Sequence, residues 1–569
     1  MNFSRKYAIL NITKIREAPM KRIFCLILLL LCVMTACSTP STDTYEMNHQ
    51  ENSSKPSGNV NKITVTNPLI WDDIPDVDII RVGNEYYMVS TTMFYNPGVP
   101  IMRSTDLAHW ELVGYVYDIV EESPQTDLFG ENHSYSKGSW AASIRYYDGE
   151  FYVTFACLDL GKSFIYKTDD VTSKNWTKYE FNRVFHDPSL FFEDDGTPYI
   201  IHGGGNVYIT ELVDDCSAVK PGGIDQVLFN SGLAEGLSGA EGAHFYKING
   251  KYYCTMISYA TNTPGINRAQ LTFRSDSLLE GWEGKVVLCD NMGHYNNGTA
   301  QGGIVDTPEG DWYAMVFQDH GAVGRIPILQ PVEWIDGWPI PGEDGKAAKE
   351  VTVLSDREEY EGSTFMRDDE FDSEEMSLYW QFNHNPKDRY WDLVDGCYRI
   401  TTSRVDRDIF HALNTLTHRT EGPTCTHEVL LHTDGLGAGD YAGISAFMSK
   451  TGMIGARVDE NGKKYAYFAT QRRPNNDFEI IREEELTQND IYLRIEYRFT
   501  SFDEEGNMVL EDQARFYYSL DGEKWEKLGK GFTMEYDLDL FTGARTALYC
   551  YSTVKEGGHA DFEYFHVVK

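Results

Sequence analysis

A chain of 569 residues, 41% hydrophobic and 13% aromatic, can bury several cores and is too apolar to be disordered. Its formal net charge of −37 repels polyanions, and without a basic patch the sequence excludes DNA or RNA as an expected partner. Few long apolar periodic runs, and many short aromatic segments bounded by glycine, predict an all-β protein.

In chain order, the first element is an export signal. Lys21 and Arg22 precede the apolar run Ile23 to Val33, and "MTAC" ends at Cys37; the run is too short to span a bilayer. The pattern resembles a bacterial lipoprotein signal, with translation from Met20 and Cys37 as the lipidated first residue. Residues 1–37 are therefore an upstream extension and signal. The expected location is the outer membrane or periplasmic face, with the membrane reached only through the lipid. Residues 38–62, "STPSTDTYEMNHQENSSKPSGNVNK", are too polar to fold and read as a tether. The other cysteines from Cys157 to Cys550 show no CxxC spacing, so they read as small buried hydrophobes rather than a zinc site.

Residues 63–345 carry a weak repeat of a short turn followed by an aromatic strand: "RVGNEYYMVS", "YYDGEFYVTF", "EDDGTPYIIH", "KINGKYYCTM" and "TPEGDWYAMV". The turn glycines Gly83, Gly149, Gly196, Gly250 and Gly310 each suit a hairpin. Strand–turn–Trp elements ending at Trp110, Trp176 and Trp282 supply outer hairpins, and two hairpins per repeat predict a five-bladed β-propeller. Counting back nine residues from the glycines gives Trp140, Asp187, Glu241 and Gln301, with Asp76 seven before Gly83. If each begins the innermost strand of a blade, all five face one axial cavity. Asp78 competes with Asp76 under a register shift of two. His186 and His244 read as hydrogen-bonding residues. Three carboxylates meeting in one pocket divide into a protonated acid and an ionised base, the pair that glycoside hydrolysis uses.

"PDVDII" with Asp76, "HDPSLFF" with Asp187, "AEGAHFYK" with Glu241 and "GRIPILQPVEW" with Arg325 resemble the motifs of glycoside hydrolase family 43, a five-bladed propeller family. "WQFNHNP" from Trp380 and "HALNTLTHRTEGPT" from His411 resemble the β-sandwich appended to its β-xylosidase-like members. The resemblance implies Asp76 as general base, Glu241 as general acid, Asp187 as the residue that orients the acid and raises its pKa, and inversion at the anomeric centre. It implies sugar binding by Arg325, with Trp140 and Phe94 as apolar walls. Many members carry His where this chain has Gln301, so no cofactor is required by the motifs, and a structural calcium remains open. "DDEFD", Asp368 to Asp372, and Asp561 read either as calcium ligands or as solvated turns.

After a linker over 346–366, residues 367–569 show longer alternating strands and predict a β-sandwich, which the resemblance implies is a concanavalin-like jelly roll; it walls the pocket or binds glycan independently. The expected function is an exo-acting inverting hydrolase releasing terminal β-D-xylose, α-L-arabinofuranose or both from plant hemicellulose or pectic side chains. The alternatives are a non-catalytic glycan-binding lipoprotein and a retaining propeller glycosidase.

Overall fold

The computed structural model describes residues 60–473 and 478–568. The signal segment and Cys37 lie outside them, as does the tether up to residue 59.

Five four-stranded antiparallel meanders form the propeller, each running from its innermost to its outermost strand in chain order. The innermost strands are Asp78–Val82, Ser143–Tyr147, Ser189–Phe192, Glu241–Ile248 and Ala300–Asp306, in blades I to V. Local chemistry sets the hairpins. In blades II and IV the two-residue connections Asp148-Gly149 and Asn249-Gly250 hold φ of 48°, 84°, 50° and 77°, as a type I′ turn requires. Blades III and V use longer loops between Phe192 and Pro198 and between Asp306 and Trp312. Trp110, Trp176 and Trp282 stand immediately before the outermost strands of blades I, II and IV, where Trp110 and Trp282 are buried.

Among the described residues, no strand is exchanged between the first and last blades. Instead, Asn61–Thr66 pairs with Glu350–Ser355, so part of the expected linker is a strand that ties the two ends of the propeller together. Asn67 reinforces the tie: its amide donates to Leu329 O (2.7 Å) and Ala348 O (2.8 Å) and accepts from Leu329 N (3.0 Å). Between blades I and V, Arg81 makes a two-pronged pair with Asp306 at 3.0 and 2.7 Å, with side-chain exposures of 9% and 7%. Removing one partner strands a buried charge, so Asp306→Ala is expected to cost about 3–5 kcal/mol, read as a lower midpoint in denaturant unfolding.

The sandwich consists of two antiparallel sheets. One runs Glu479–Glu485, Lys464–Arg472, Lys450–Val458, Asp440–Phe447, Arg545–Ser552, Leu416–Arg419, Trp380–Asn383; its last strand pairs with Tyr95–Asn96 of the propeller. The two layers thus share a sheet as well as a face. The other sheet centres on Thr424–His432, Asp490–Phe502 and His559–Val568. Leu431, Ile444, Ile454, Leu493 and Phe516 fill the space between, as alternating strands dictate. The seven cysteines among the described residues are free, six buried and Cys289 half-buried. Asp561 is held by Arg399 at 2.6 and 2.7 Å. Asp369 accepts from Phe371 N and Trp380 Nε1, and Asp368 from Val567 N. These carboxylates cap backbone and pair with a cation.

Candidate active site

Three of the five inward residues share a backbone signature. Asp76, Asp187 and Gln301 have φ of 54°, 46° and 60°, and Gly242, beside Glu241, has 69°. Left-handed backbone is uncommon for residues other than glycine and clusters where a site over-determines it. Here it turns the chain just before or within the first residues of an innermost strand. In blades IV and V this turn coincides with register shifts between Glu241 and His244 and between Ala300 and Gly302, bulges that re-aim a side chain.

Asp76 is buried. Arg325 Nη1 contacts both its oxygens at 2.8 and 2.9 Å, and Thr91 Oγ1 donates to Oδ2 at 2.8 Å. Burial pushes its pKa up, against the Arg325 charge and the Thr91 bond, with Glu241 and Asp73 adding repulsion. Asp78, two residues on, is a different kind of group. It pairs with Arg145 (2.6 Å) and His244 Nδ1 (2.8 Å) and accepts from Ile144 N (2.9 Å). Despite complete burial, those partners hold its carboxyl well below the usual range.

Glu241 is half-buried, and His186 Nε2 lies 3.0 Å from its Oε2 and 3.7 Å from Asp187 Oδ2. Burial raises Glu241, but the His186 bond and charge, with Tyr259 and Arg325, outweigh it and the net pKa is lowered. Asp187 goes the other way: burial, opposed by His186 but helped by Glu241 and Asp76, pushes it up to about 7. The Glu241 bond lifts His186 to about 9 against its burial, with Asp187 adding to the lift. In this state the raised carboxyl is Asp187 rather than Glu241. Gly242 N donates to Asp187 Oδ2 at 3.0 Å, and a Cβ on Gly242 would stand 2.7 Å from Gln301 Cδ. The small residues around Glu241 therefore make room for the buried Gln301 side chain, which packs on Gly242 rather than opening toward solvent.

His186, Asp187 and Glu241 bring three ligand atoms within 4.8 Å, a donor set that could hold a metal ion. Calcium is a poor match, because it takes six to eight oxygens and one of these donors is an imidazole nitrogen.

Trp140 stands beside this group, its ring 6.1 Å from His186. Phe94 does not: it is 3% exposed and enclosed by Tyr95, Tyr135 and His384 at the junction with the sandwich. Two residues that spacing within the blades cannot reveal come from the sandwich. Phe541 lies 5.9 Å from Trp140 and 4.5 Å under the Arg325 guanidinium, and Tyr536 packs against Phe541. Trp140 Nε1, Arg325 Nε and the Tyr536 hydroxyl are buried without a protein hydrogen-bond partner.

Residues 65–339 match the family model for glycosyl hydrolases family 43, and residues 368–568 match the model for the beta xylosidase C-terminal concanavalin A-like domain. A beta-xylosidase of Formosa agariphila is 28% identical over 561 residues, covering 88% of this chain and 90% of that one. A non-reducing end alpha-L-arabinofuranosidase of Bacteroides ovatus is 31% identical over 366 residues, 60% of this chain and 66% of that one. Among solved structures, a bifunctional GH43-CE protein of Bacteroides eggerthii superposes with a TM-score of 0.80 at 38% identity; the match covers 89% of this chain but 64% of that longer one. An engineered GH43 glycoside hydrolase described as displaying both endo-xylanase and exo-arabinofuranosidase activity gives 0.79 at 28% identity, covering 89% of this chain and 99% of that chain. With its propeller matched by one model and its sandwich by the domain that accompanies it, the chain belongs to glycosyl hydrolase family 43 and is a glycosidase with a C-terminal concanavalin A-like domain.

Proposed function

We propose that the protein is an exo-acting, inverting hydrolase that releases terminal β-D-xylose, α-L-arabinofuranose or both from plant hemicellulose or pectic side chains. We propose also that it works outside the cytoplasm, held to the membrane by a lipid on Cys37. Asp76, whose charged form Arg325 and Thr91 favour against the effect of burial, takes a proton from water as that water attacks the anomeric carbon. Glu241 gives a proton to the departing oxygen, while Asp187 orients the Glu241 loop through Gly242. Inversion leaves space for water between base and acid, about 6.5–9.5 Å between their carboxyl groups. Trp140, Phe541 and Tyr536 wall the proposed sugar site beside Arg325.

The observation that carries this reading is the meeting of three carboxylates from separate blades: Asp76 gripped by Arg325 at 2.8 and 2.9 Å, and Glu241 beside Asp187 with His186 Nε2 at 3.0 and 3.7 Å. Within the proposed mechanism, His186 and Glu241 hold one transferable proton between them. The pair loses it near the His186 value of about 9, which sets the alkaline limb of kcat/KM. In His186→Gln the proton must reside on the carboxyls, and Asp187 loses the lowering charge of His186, so the alkaline limb is expected to leave the His186 value and move to lower pH while the acid limb stays. A pH–rate profile of the variant checks this.

The identifying experiment is hydrolysis of nitrophenyl β-D-xyloside and nitrophenyl α-L-arabinofuranoside side by side. Turnover of either supports the reading and ranks the two sugars; binding of pentose oligosaccharides with no hydrolysis of any would overturn it in favour of a lectin.

A further inference from the structure

Behind the proposed base lies a buried carboxylate whose two oxygens are both taken by backbone N–H groups. Asp73, buried three residues before Asp76, accepts from Arg325 N at 2.9 Å through Oδ1 and from Gly543 N at 2.7 Å through Oδ2. Its own carbonyl accepts from Arg419 Nη1, and the Arg325 carbonyl accepts from Ile74 N at 2.9 Å. One side chain therefore holds two backbones: that of the residue gripping Asp76, and that of the sandwich turn carrying Phe541, which has φ of 64°.

The surroundings leave it no freedom. A Cβ on Gly324 would collide with Asp73 Oδ1, and one on Gly543 would collide with Val323 O and stand 2.8 Å from Asp73 Cβ. Ala544 N donates to Ala322 O at 2.8 Å, Ala322 N to Asp512 Oδ1 at 2.9 Å, and Thr420 Oγ1 to Ala544 O at 2.8 Å. The sandwich turn is thus zipped to the 3₁₀ turn Gly321–Val323 that leads into Arg325. Arg325 completes the circuit, its Nη1 on Asp76 and its Nη2 on Phe541 O at 3.4 Å.

We propose that Asp73 is a positioning residue that locks the sandwich turn 541–544 to the Arg325–Asp76 pair, so that the pocket wall given by Phe541 and the grip on Asp76 are set by one joint. This rests on the reading of Asp76 as base. A carboxylate suits the joint because it accepts at both oxygens, whereas an amide of the same shape would point a donor at one of the two N–H groups and leave that N–H unpaired in the interior. Small displacements of groups that position reacting atoms cost about 10²-fold in rate.

The test is Asp73→Asn on the aryl pentosides. Expected is a fall in kcat/KM of about 10²-fold carried chiefly by kcat; an unchanged kcat would overturn the proposal. The acid limb supplies a readout that a merely structural role would not move. Asp76 faces Arg325, Thr91, Glu241, Asp187 and Asp73. Removing the Asp73 charge alone relieves repulsion and would shift the limb to lower pH. Loosening Arg325 removes the larger opposing effect and shifts it to higher pH. An upward shift is expected; no shift, or a downward one, would overturn the proposal. Asp76→Asn is run beside it: activity surviving that change sinks the reading of the base, whereas its loss with an unaltered Asp73→Asn profile sinks only the joint. If Asp73→Asn does not fold, hydrogen exchange on the unaltered protein decides. The amides of Arg325 and Gly543 are expected to open together, and a Gly543 amide that exchanges independently would contradict the joint.

Discussion

Glu241→Gln is expected to lower kcat/KM on a natural pentose oligosaccharide by about 10²–10⁴-fold, the range that a positioned proton donor contributes. The loss should be smaller on a nitrophenyl glycoside, whose leaving group departs with less help from an acid. The difference between the two substrates is the diagnostic quantity, because a change that merely distorted the pocket would slow both alike. Physically, the amide keeps the size of the carboxyl and an acceptor for His186 Nε2, now 3.0 Å from Oε2, but has no proton to give. Gly242, whose N–H holds Asp187, need not move, so thermal stability should change little. Rates on both substrates, with a melting curve for each protein, check the expectation.

Asp76→Asn should have a comparable kinetic effect and a distinct stability signature. The carboxylate is proposed to accept the proton from the attacking water, so its loss removes about 10²–10⁴-fold in kcat/KM whatever the leaving group. It also strips Arg325 of the anion that both its contacts reach, leaving a guanidinium of 4% side-chain exposure uncompensated. Breaking a buried pair in this way costs about 3–5 kcal/mol, partly offset by the amide oxygen that remains to accept one bond. Denaturant midpoints should therefore fall for Asp76→Asn and stay nearly constant for Glu241→Gln, although both abolish most turnover. Equal midpoints would mean that the Arg325 pair carries no stability.

The placement of Asp76, Trp140, Asp187, Glu241 and Gln301 was legible because a propeller repeats its phase. A turn glycine fixes the end of each innermost strand, and counting back reaches its beginning beside the axis. What the spacing did not convey is how each inward position is made. The left-handed backbone at Asp76, Asp187 and Gln301 follows from tertiary constraint, and their residue types alone do not demand it. Asp78 and Asp76 look equivalent in sequence, two inward carboxylates on one strand face, and only their partners separate them. Phe94 reads as a wall from its family motif, yet its segment continues into Tyr95–Asn96, which joins the sandwich sheet and draws the ring into the junction. Phe541, Tyr536 and Asp73 were illegible for the same reason. Their roles arise from contact between distant chain segments, 216 residues apart for Phe541 and Arg325 and 470 for Gly543 and Asp73, and no local pattern encodes such a meeting. His186 was legible as a hydrogen-bonding residue; that its partner is Glu241 required the fold.

If carboxyl groups carried by separate blades act on one sugar from opposite sides in a single displacement, the first sugar released has the inverted configuration. Proton NMR of that sugar, recorded before mutarotation, should show the α-anomer from a β-xyloside or the β-anomer from an α-arabinofuranoside; a product that keeps the configuration of its substrate would exclude a single displacement.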